Sequence, residues 1–202
     1  MNNDFLDEAF EEDDFSSGTP PNAFVEEQAT LLPANSEVIE IGAGDGRNAV
    51  YLAELGHTLT AIDRSAAELG ELKSLAAERA VSIRSIHRDI LEWEPDQDWD
   101  AAIMTFMHLP EEKRPKLYEK IQEILRPGGY LISLFYRPEQ AEEGLAAGDL
   151  DDPSLGVETD ELEEHFTEGK ILRCEETTRT LDDEGANVGE ARVVEFIFQK
   201  QI

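Results

Sequence analysis

Short apolar runs and segments of helical period alternate along the chain from residue 25. Val38 to Ile41 is a strand that ends at Gly42, and Ala49, Val50, Leu52, Ala53 and Leu55 then mark one face of a helix over 46–56, with Gly56 at its C-terminal cap. Thr58 to Ile62 is a second strand, closed by Asp63. Ser65 is placed to cap a helix that runs to about Arg79 on Leu69, Leu72, Leu75 and Ala76. Val81, Ile83 and Ile86 mark a third strand that ends at Asp89, and Ala101 to Phe106 a fourth. A helix over 110–125 carries Leu117, Ile121, Ile124 and Leu125 on one side, and Pro127-Gly128-Gly129 leads into a fifth strand, Tyr130 to Phe135.

Strands alternating with helices of this length imply parallel βαβ units with right-handed crossovers. After a helix near 159–167 the pattern changes. Two β-rich segments, 170–181 and 189–199, flank Asp182-Asp183-Glu184-Gly185, which predicts an antiparallel hairpin. The expected fold is α/β: a Rossmann-like, doubly wound, seven-stranded and mostly parallel sheet with a C-terminal antiparallel hairpin. Residues 1–24 stand apart as an acidic N-terminal segment. Phe5, Leu6, Ala9 and Phe10 fall on one face of a short helix there, and Gly18, Pro20 and Pro21 break the chain after it. The segment reads either as a frayed tail or as a lid that brings Phe10 or Phe15 over a pocket. Residues 25–202 are the expected domain. Within it, 138–156 is an insert, either a loop that covers substrate or a surface excursion.

Composition narrows the function. The chain has 202 residues, 46 acidic and 17 basic, for a net charge of −29, and 40% of its residues are apolar. That apolar share argues against wholesale disorder. The charge repels DNA, RNA and anionic lipid, so neither a nucleic acid nor a membrane is an expected partner. Acid spread along the whole length, with only six lysines, reads as adaptation of the surface to a salt-rich, halophilic cytoplasm. An acidic face for a cationic partner is the alternative. No apolar run approaches the roughly 18–20 residues of a membrane span. MNNDFLDEAFEEDDF has no basic stretch followed by an apolar one, so no secretory leader is expected. The lone Cys174, read as core of the sixth strand, excludes a disulfide framework and a Cys-rich metal site, and no metal is expected.

The chemistry concentrates in Glu40-Ile41-Gly42-Ala43-Gly44-Asp45-Gly46-Arg47, a strand, a glycine-rich turn and a helix start. Such a turn lets bare backbone approach a ligand at the carboxyl edge of a doubly wound sheet. A dinucleotide fingerprint has glycines at positions 1, 3 and 6. Here they fall at 1, 3 and 5, and bulky Arg47 fills the sixth, which argues against NAD or FAD. Asp63 lies 21 residues beyond Gly42, where a carboxylate can accept from both hydroxyls of a ribose. Asp89, followed by Ile90, can accept from an adenine amine while the next backbone N–H meets a ring nitrogen. Each Asp alone also suits a helix cap or turn.

Glu40-x-Gly42-x-Gly44-x-Gly46, Asp63, Asp89 and Leu125-Arg126-Pro127-Gly128-Gly129 together resemble the ordered motifs of class I S-adenosylmethionine-dependent methyltransferases. Arg47-Asn48-Ala49-Val50-Tyr51-Leu52-Ala53 with Gly56-His57 resembles, more narrowly, the tellurite-resistance and thiopurine methyltransferase-like branch. The resemblance covers roughly residues 20–200 and implies S-adenosyl-L-methionine as cofactor. It places Gly42, Ala43, Gly44 and Gly46 beside the methionine moiety, Asp63 on the ribose, and Asp89 with Ile90 on the adenine. Glu40 would orient the loop or the cofactor's amino end. Arg64 stands where the family often has an apolar residue over the adenine face.

The carboxyl ends of strands four and five supply the acceptor pocket. Phe106, Met107 and His108 follow the fourth; Tyr136 and Arg137 follow the fifth. His108 is a candidate base, or a loop histidine bonded to backbone. Arg137 is a candidate partner for an anionic acceptor or for the cofactor carboxylate, or one member of a surface ion pair. Asn22 and Phe24 are candidates to close over the cofactor, or linker residues. The expected activity is methyl transfer to a small-molecule acceptor, a thiol or metalloid oxyanion among them. A non-catalytic cofactor-binding module and an NAD-dependent nucleotide enzyme are the alternatives.

Overall fold

The computed structural model describes residues 20–145, 150–182 and 188–201, so the Phe5–Phe10 pattern and the Asp183–Gly185 turn lie outside the described residues. The strands are β1 (Glu37–Ile41), β2 (Thr58–Asp63), β3 (Ile83–His87), β4 (Trp99–Thr105), β5 (Leu125–Tyr136), β6 (Gly169–Asp182) and β7 (Val188–Lys200). They form one sheet in the order β3-β2-β1-β4-β5-β7-β6. β1 to β5 run parallel, β7 is antiparallel to β5, and β6 is antiparallel to β7. This is the mostly parallel, doubly wound sheet with a terminal hairpin that the strand and helix periods predict.

The period of two sorts the core onto two faces. Val38, Ala101, Ile103, Ile132 and Leu134 point to one side, where α1 (Ala23–Gln28) and α2 (Arg47–Glu54) supply Phe24, Ala49 and Leu52. Ile39, Ile41, Ala102, Met104, Leu131 and Phe135 point to the other. There α4 (Arg114–Ile124) and α6 (Thr159–His165) bring Leu117, Tyr118, Ile121 and Leu162. The helix α3 (Glu68–Glu78) lays Leu69 and Leu72 on Ala61 of β2. Phe24, Trp99, Tyr118, Phe166, Phe196 and Phe198 are fully enclosed, each a burial of about 1.5–3 kcal/mol.

Several details depart from the sequence pattern. Pro127-Gly128-Gly129 lies inside β5 rather than before it: β4 advances from Trp99 to Ala101 while β5 advances from Leu125 to Tyr130. Gly129 sits where a Cβ would lie 3.0 Å from the Asp100 carbonyl oxygen, so only glycine fits this irregular stretch. Ser65 does accept the Glu68 N–H on its Oγ at 3.2 Å, although the helix proper starts at Glu68. The expected boundary at residue 25 cuts into the packed fold, because Asn22 and Phe24 are buried and neither is a linker residue. Asn22 caps α1 by accepting the Phe24 N–H, and Arg179 lies over the Phe24 ring at 5.1 Å. The 138–156 segment packs back on the sheet: α5 (Pro138–Glu142) buries Gln140, whose Oε1 accepts the Arg192 N–H at 2.8 Å. Residues 146–149 lie outside the described part. Cys174 is only half-buried, as an edge strand leaves one side uncovered, and burial with neighbouring acids pushes its thiol up to about 11.

Candidate active site

The sheet order reverses between β1 and β4, which opens a crevice at the carboxyl ends of the parallel strands. Four loops meet there, after β1, β2, β3 and β4. In the first, Gly42 and Gly44 take φ of +67° and +55°, values that L side chains rarely adopt. Gly46 takes +83°, and a Cβ on it would lie 2.6 Å from Leu72 Cδ1. Gly46 thus provides the close packing that a dinucleotide fold assigns to its third glycine, against a neighbouring helix.

Asp63 ties this turn to β2. Its Oδ2 accepts the Gly44 N–H at 3.0 Å and its Oδ1 the Ser65 N–H at 2.7 Å. A carboxylate offers about four lone-pair sites, so acceptor capacity remains toward the crevice. Asp89 accepts the Leu91 N–H at 2.8 Å, and Ile90 beside it is buried. Each Asp is therefore a turn former as well as a crevice residue.

Beneath the turn lies an enclosed carboxylate. Glu40 Oε1 accepts from Asn48 Nδ2 and Oε2 from the Ala49 N–H, both at 2.9 Å. Loss of water pushes its carboxyl from 4.5 up to about 8, with Asp45 adding to the rise and Asn48, the Ala49 amide and Arg47 opposing it. Asn48 Oδ1 accepts the Asn22 N–H at 2.8 Å, so the chain before α1 is fastened to the same cluster. Sequence reasoning did not single out Asn48; a polar residue on a buried helix face was the available signal.

The crevice has two lobes. One, about 230 Å³, is lined by Asp63, Arg64, Asp89, Ile90, Met107 and His108 among others; the second, about 280 Å³, by Glu40, Ala43, Gly44, Asp45, Arg47 and Glu68 among others. Gly42, Asp63 and Phe106 border both. Phe106 holds φ of +52°, a strained value for a non-glycine residue, and its N–H donates to the Leu134 carbonyl at 2.8 Å. Its ring stacks on Tyr136 with centroids 4.3 Å apart, and His108 lies 5.6 Å from Tyr136.

The other sequence candidates lie elsewhere. Gly46, Tyr136 and Arg137 line neither lobe. Arg137 Nη2 pairs with Glu139 at 2.7 Å and Glu176 at 2.8 Å, the ion-pair alternative among its expected roles. Asn22 and Phe24 lie under the turn and in the core, so they do not close over the crevice. A wider groove of about 700 Å³ between α4 and α6 is built around Arg114, which Glu161, Leu109 and Ser154 fully engage. Among the described residues, no group of His, Cys, Asp and Glu is arranged to hold a metal ion, and no helix is long and apolar enough to cross a membrane.

Comparison with known proteins agrees with this geometry. Residues 38–129 match a family described as a methyltransferase domain. The chain is 26% identical over 165 residues to hemagglutinin 1 of Eikenella corrodens, covering 78% of this chain and 51% of that protein. It is 25% identical over 166 residues to TehB of Haemophilus influenzae, a probable S-adenosyl-L-methionine-dependent methyltransferase, covering 79% and 55%. The chain thus spans about half the length of these curated relatives. The TehB crystal structure superposes with a TM-score of 0.71 at 23% identity, over 88% of this chain and 61% of that one. A structure concerned with conversion of a disulfide bond into a thioacetal group during echinomycin biosynthesis gives 0.75 at 20%, over 93% and 84%.

The methyltransferase-domain match takes in residues 38–129, a little under half of the chain; over a longer stretch the chain is similar to TehB, a probable S-adenosyl-L-methionine-dependent methyltransferase, and it shares the fold of the TehB crystal structure. The residues suit the cofactor, with acceptors beside one lobe for a nucleoside and bare backbone with opposed charges beside the other for an amino-acid end.

Proposed function

We propose that the chain transfers a methyl group from S-adenosylmethionine to a small-molecule acceptor, with soft anions such as thiolates or metalloid oxyanions as the acceptor class. The observation that supports this best is the junction of the two lobes at Gly42, Asp63 and Phe106, a continuous seat for one elongated ligand with chemically different ends. In this reading Asp63 accepts from the ribose hydroxyls, Asp89 and the Ile90 backbone take the adenine edge, and the glycine turn admits the methionine chain.

When bound, S-adenosylmethionine supplies a methyl carbon made electrophilic by its positively charged sulfur. The chain contributes placement. Holding reacting groups about 3 Å apart and aligned contributes several kcal/mol of the barrier. Phe106, Met107 and Leu109 form an apolar, polarisable wall that keeps water from a soft nucleophile. Tyr136 braces the Phe106 ring from behind, so that its face can meet a cation. His108, on the same wall, takes the proton of an acceptor that arrives protonated; a thiolate arrives without one. With Arg137 paired to two glutamates, Arg64 and Arg88 supply the positive bias at this mouth.

The net charge of −29 supports a small acceptor over a nucleic acid, and a salt-rich cytoplasm as its setting. The test is a screen of thiols, selenite, tellurite, amines, phenols and transfer RNA with labelled S-adenosylmethionine, at low and molar salt. Labelled product with a small acceptor is the expected result. Product only with transfer RNA overturns the acceptor class, and tight cofactor binding with no product anywhere overturns the enzyme reading in favour of a binding module.

A further inference from the structure

In the turn after β3, N–H groups and carbonyls have different partners. The Leu91 N–H donates to Asp89 Oδ1 at 2.8 Å, and the Glu92 and Trp93 N–H groups donate to the Asp89 carbonyl at 3.1 and 3.0 Å. Two carbonyls of the turn accept instead from α4. Lys116 Nζ donates to the Leu91 carbonyl at 2.8 Å, and Lys120 Nζ to that of Trp93. Four residues apart, the two side chains leave the same face of the helix. Arg114, at the start of that helix, donates to the Leu109 carbonyl at 3.2 Å, and Leu109 lines the same lobe as Asp89 and Ile90.

This use of lysine runs against the composition. The chain has 46 acidic residues and only six lysines, so a lysine on a surface helix has carboxylates on every side. Two of the six reach instead to uncharged backbone oxygens of one short turn. An ammonium on a carbonyl makes a charge-assisted hydrogen bond, and the stem behind it covers the surface it crosses. Ile90 and Trp93 are buried, and the Trp93 ring meets that of Trp99 at 5.6 Å. The core therefore holds the turn from one side and α4 from another. Resting on the cofactor reading above, we infer that Lys116 and Lys120 are positioning residues that align the Asp89 carboxylate and the Ile90 N–H with the adenine edge. They touch the backbone of the turn, and neither lines the lobe. Base selection depends on this alignment. An acceptor beside a donor matches the amine and ring nitrogen of adenine, whereas hypoxanthine presents a carbonyl oxygen and a ring N–H, the reverse pattern.

The test is calorimetric titration of the wild type and four variants with S-adenosylhomocysteine and with S-inosylhomocysteine, whose base is hypoxanthine. The wild type is expected to prefer the first by at least about tenfold. In the double variant Lys116→Gln with Lys120→Gln that preference is expected to fall at least about threefold. Lys116→Arg with Lys120→Arg keeps two charged donors and is expected to restore most of it. Lys116→Gln alone changes an exposed side chain, so it decides the matter should the double variant not fold; a smaller fall is expected there. Lys113→Gln removes an exposed charge three residues away and is expected to leave the preference unchanged. An unchanged preference in the glutamine variants overturns the positioning role even if both affinities drop, because a loss of stability alone weakens both ligands alike. An equal fall in Lys113→Gln overturns it in favour of a general effect of charge. A wild type that binds both ligands equally overturns the adenine reading, and one that binds neither overturns the cofactor reading itself.

Discussion

Asp63 and Gly44 are joined by a hydrogen bond of 3.0 Å that closes the end of β2 onto the turn after β1. The same carboxylate borders both lobes of the crevice, so one side chain shapes the loop and lines the crevice. Asp63→Asn keeps the volume but turns an acceptor into a donor beside a backbone N–H. A loss of about 1–3 kcal/mol in S-adenosylhomocysteine affinity is expected, read by calorimetry. Unchanged affinity removes Asp63 from the site.

Gly46 and Gly56 both hold left-handed φ, +83° and +92°, but only Gly46 faces an obstacle. Gly56→Ala meets open space and is expected to cost about 1 kcal/mol from backbone strain. Gly46→Ala adds the collision with Leu72 and is expected to cost about 1–3 kcal/mol more. Urea unfolding of the two variants measures the difference, and equal costs would show that the α2–α3 contact yields freely.

Glu40 sets a pH dependence of unusual sign. Its folded carboxyl lies at about 8, against 4.5 ordinarily, so between those values the folded state holds a proton that the unfolded state has lost. Its contribution is therefore greatest below pH 4.5 and declines as pH rises to 8, in total by a few kcal/mol. Glu40→Gln cannot titrate. Its stability relative to wild type should rise steadily across that window, as followed by denaturant melts at half-unit steps. A difference that stays flat would mean that Glu40 is ionised throughout.

The net charge of −29 makes screening a stabilising force. Raising potassium chloride from about 0.1 M to 1 M shortens the Debye length from about 10 Å to 3 Å and relieves repulsion among exposed acids. The thermal midpoint is expected to climb by several degrees over that range. Buried pairs such as Arg114–Glu161 are screened less, so a falling midpoint would point to ion pairs rather than repulsion as the dominant surface term.

Much of this protein could be read from local order alone. The strand period of two and the helical period of 3.6 are imposed by backbone geometry, so Val38–Ile41, Leu69–Ala76 and the 170–199 hairpin announce themselves without knowledge of their neighbours. The glycine turn and the two aspartates at strand ends were legible for the same reason, since each marks a place where the chain must turn sharply at one edge of the sheet. What the sequence could not decide was which distant groups face one another. Arg137 looked like a cation at the mouth until Glu176, far along the chain, closed on it. Asn22 and Phe24 looked like a cover, yet Asn48 and the core claimed them from beneath. Gly46 owes its necessity to Leu72 on another helix, and Glu40 its raised pKa to complete enclosure. Pairing and burial are sums over the whole packed molecule, so only the tertiary structure assigns them.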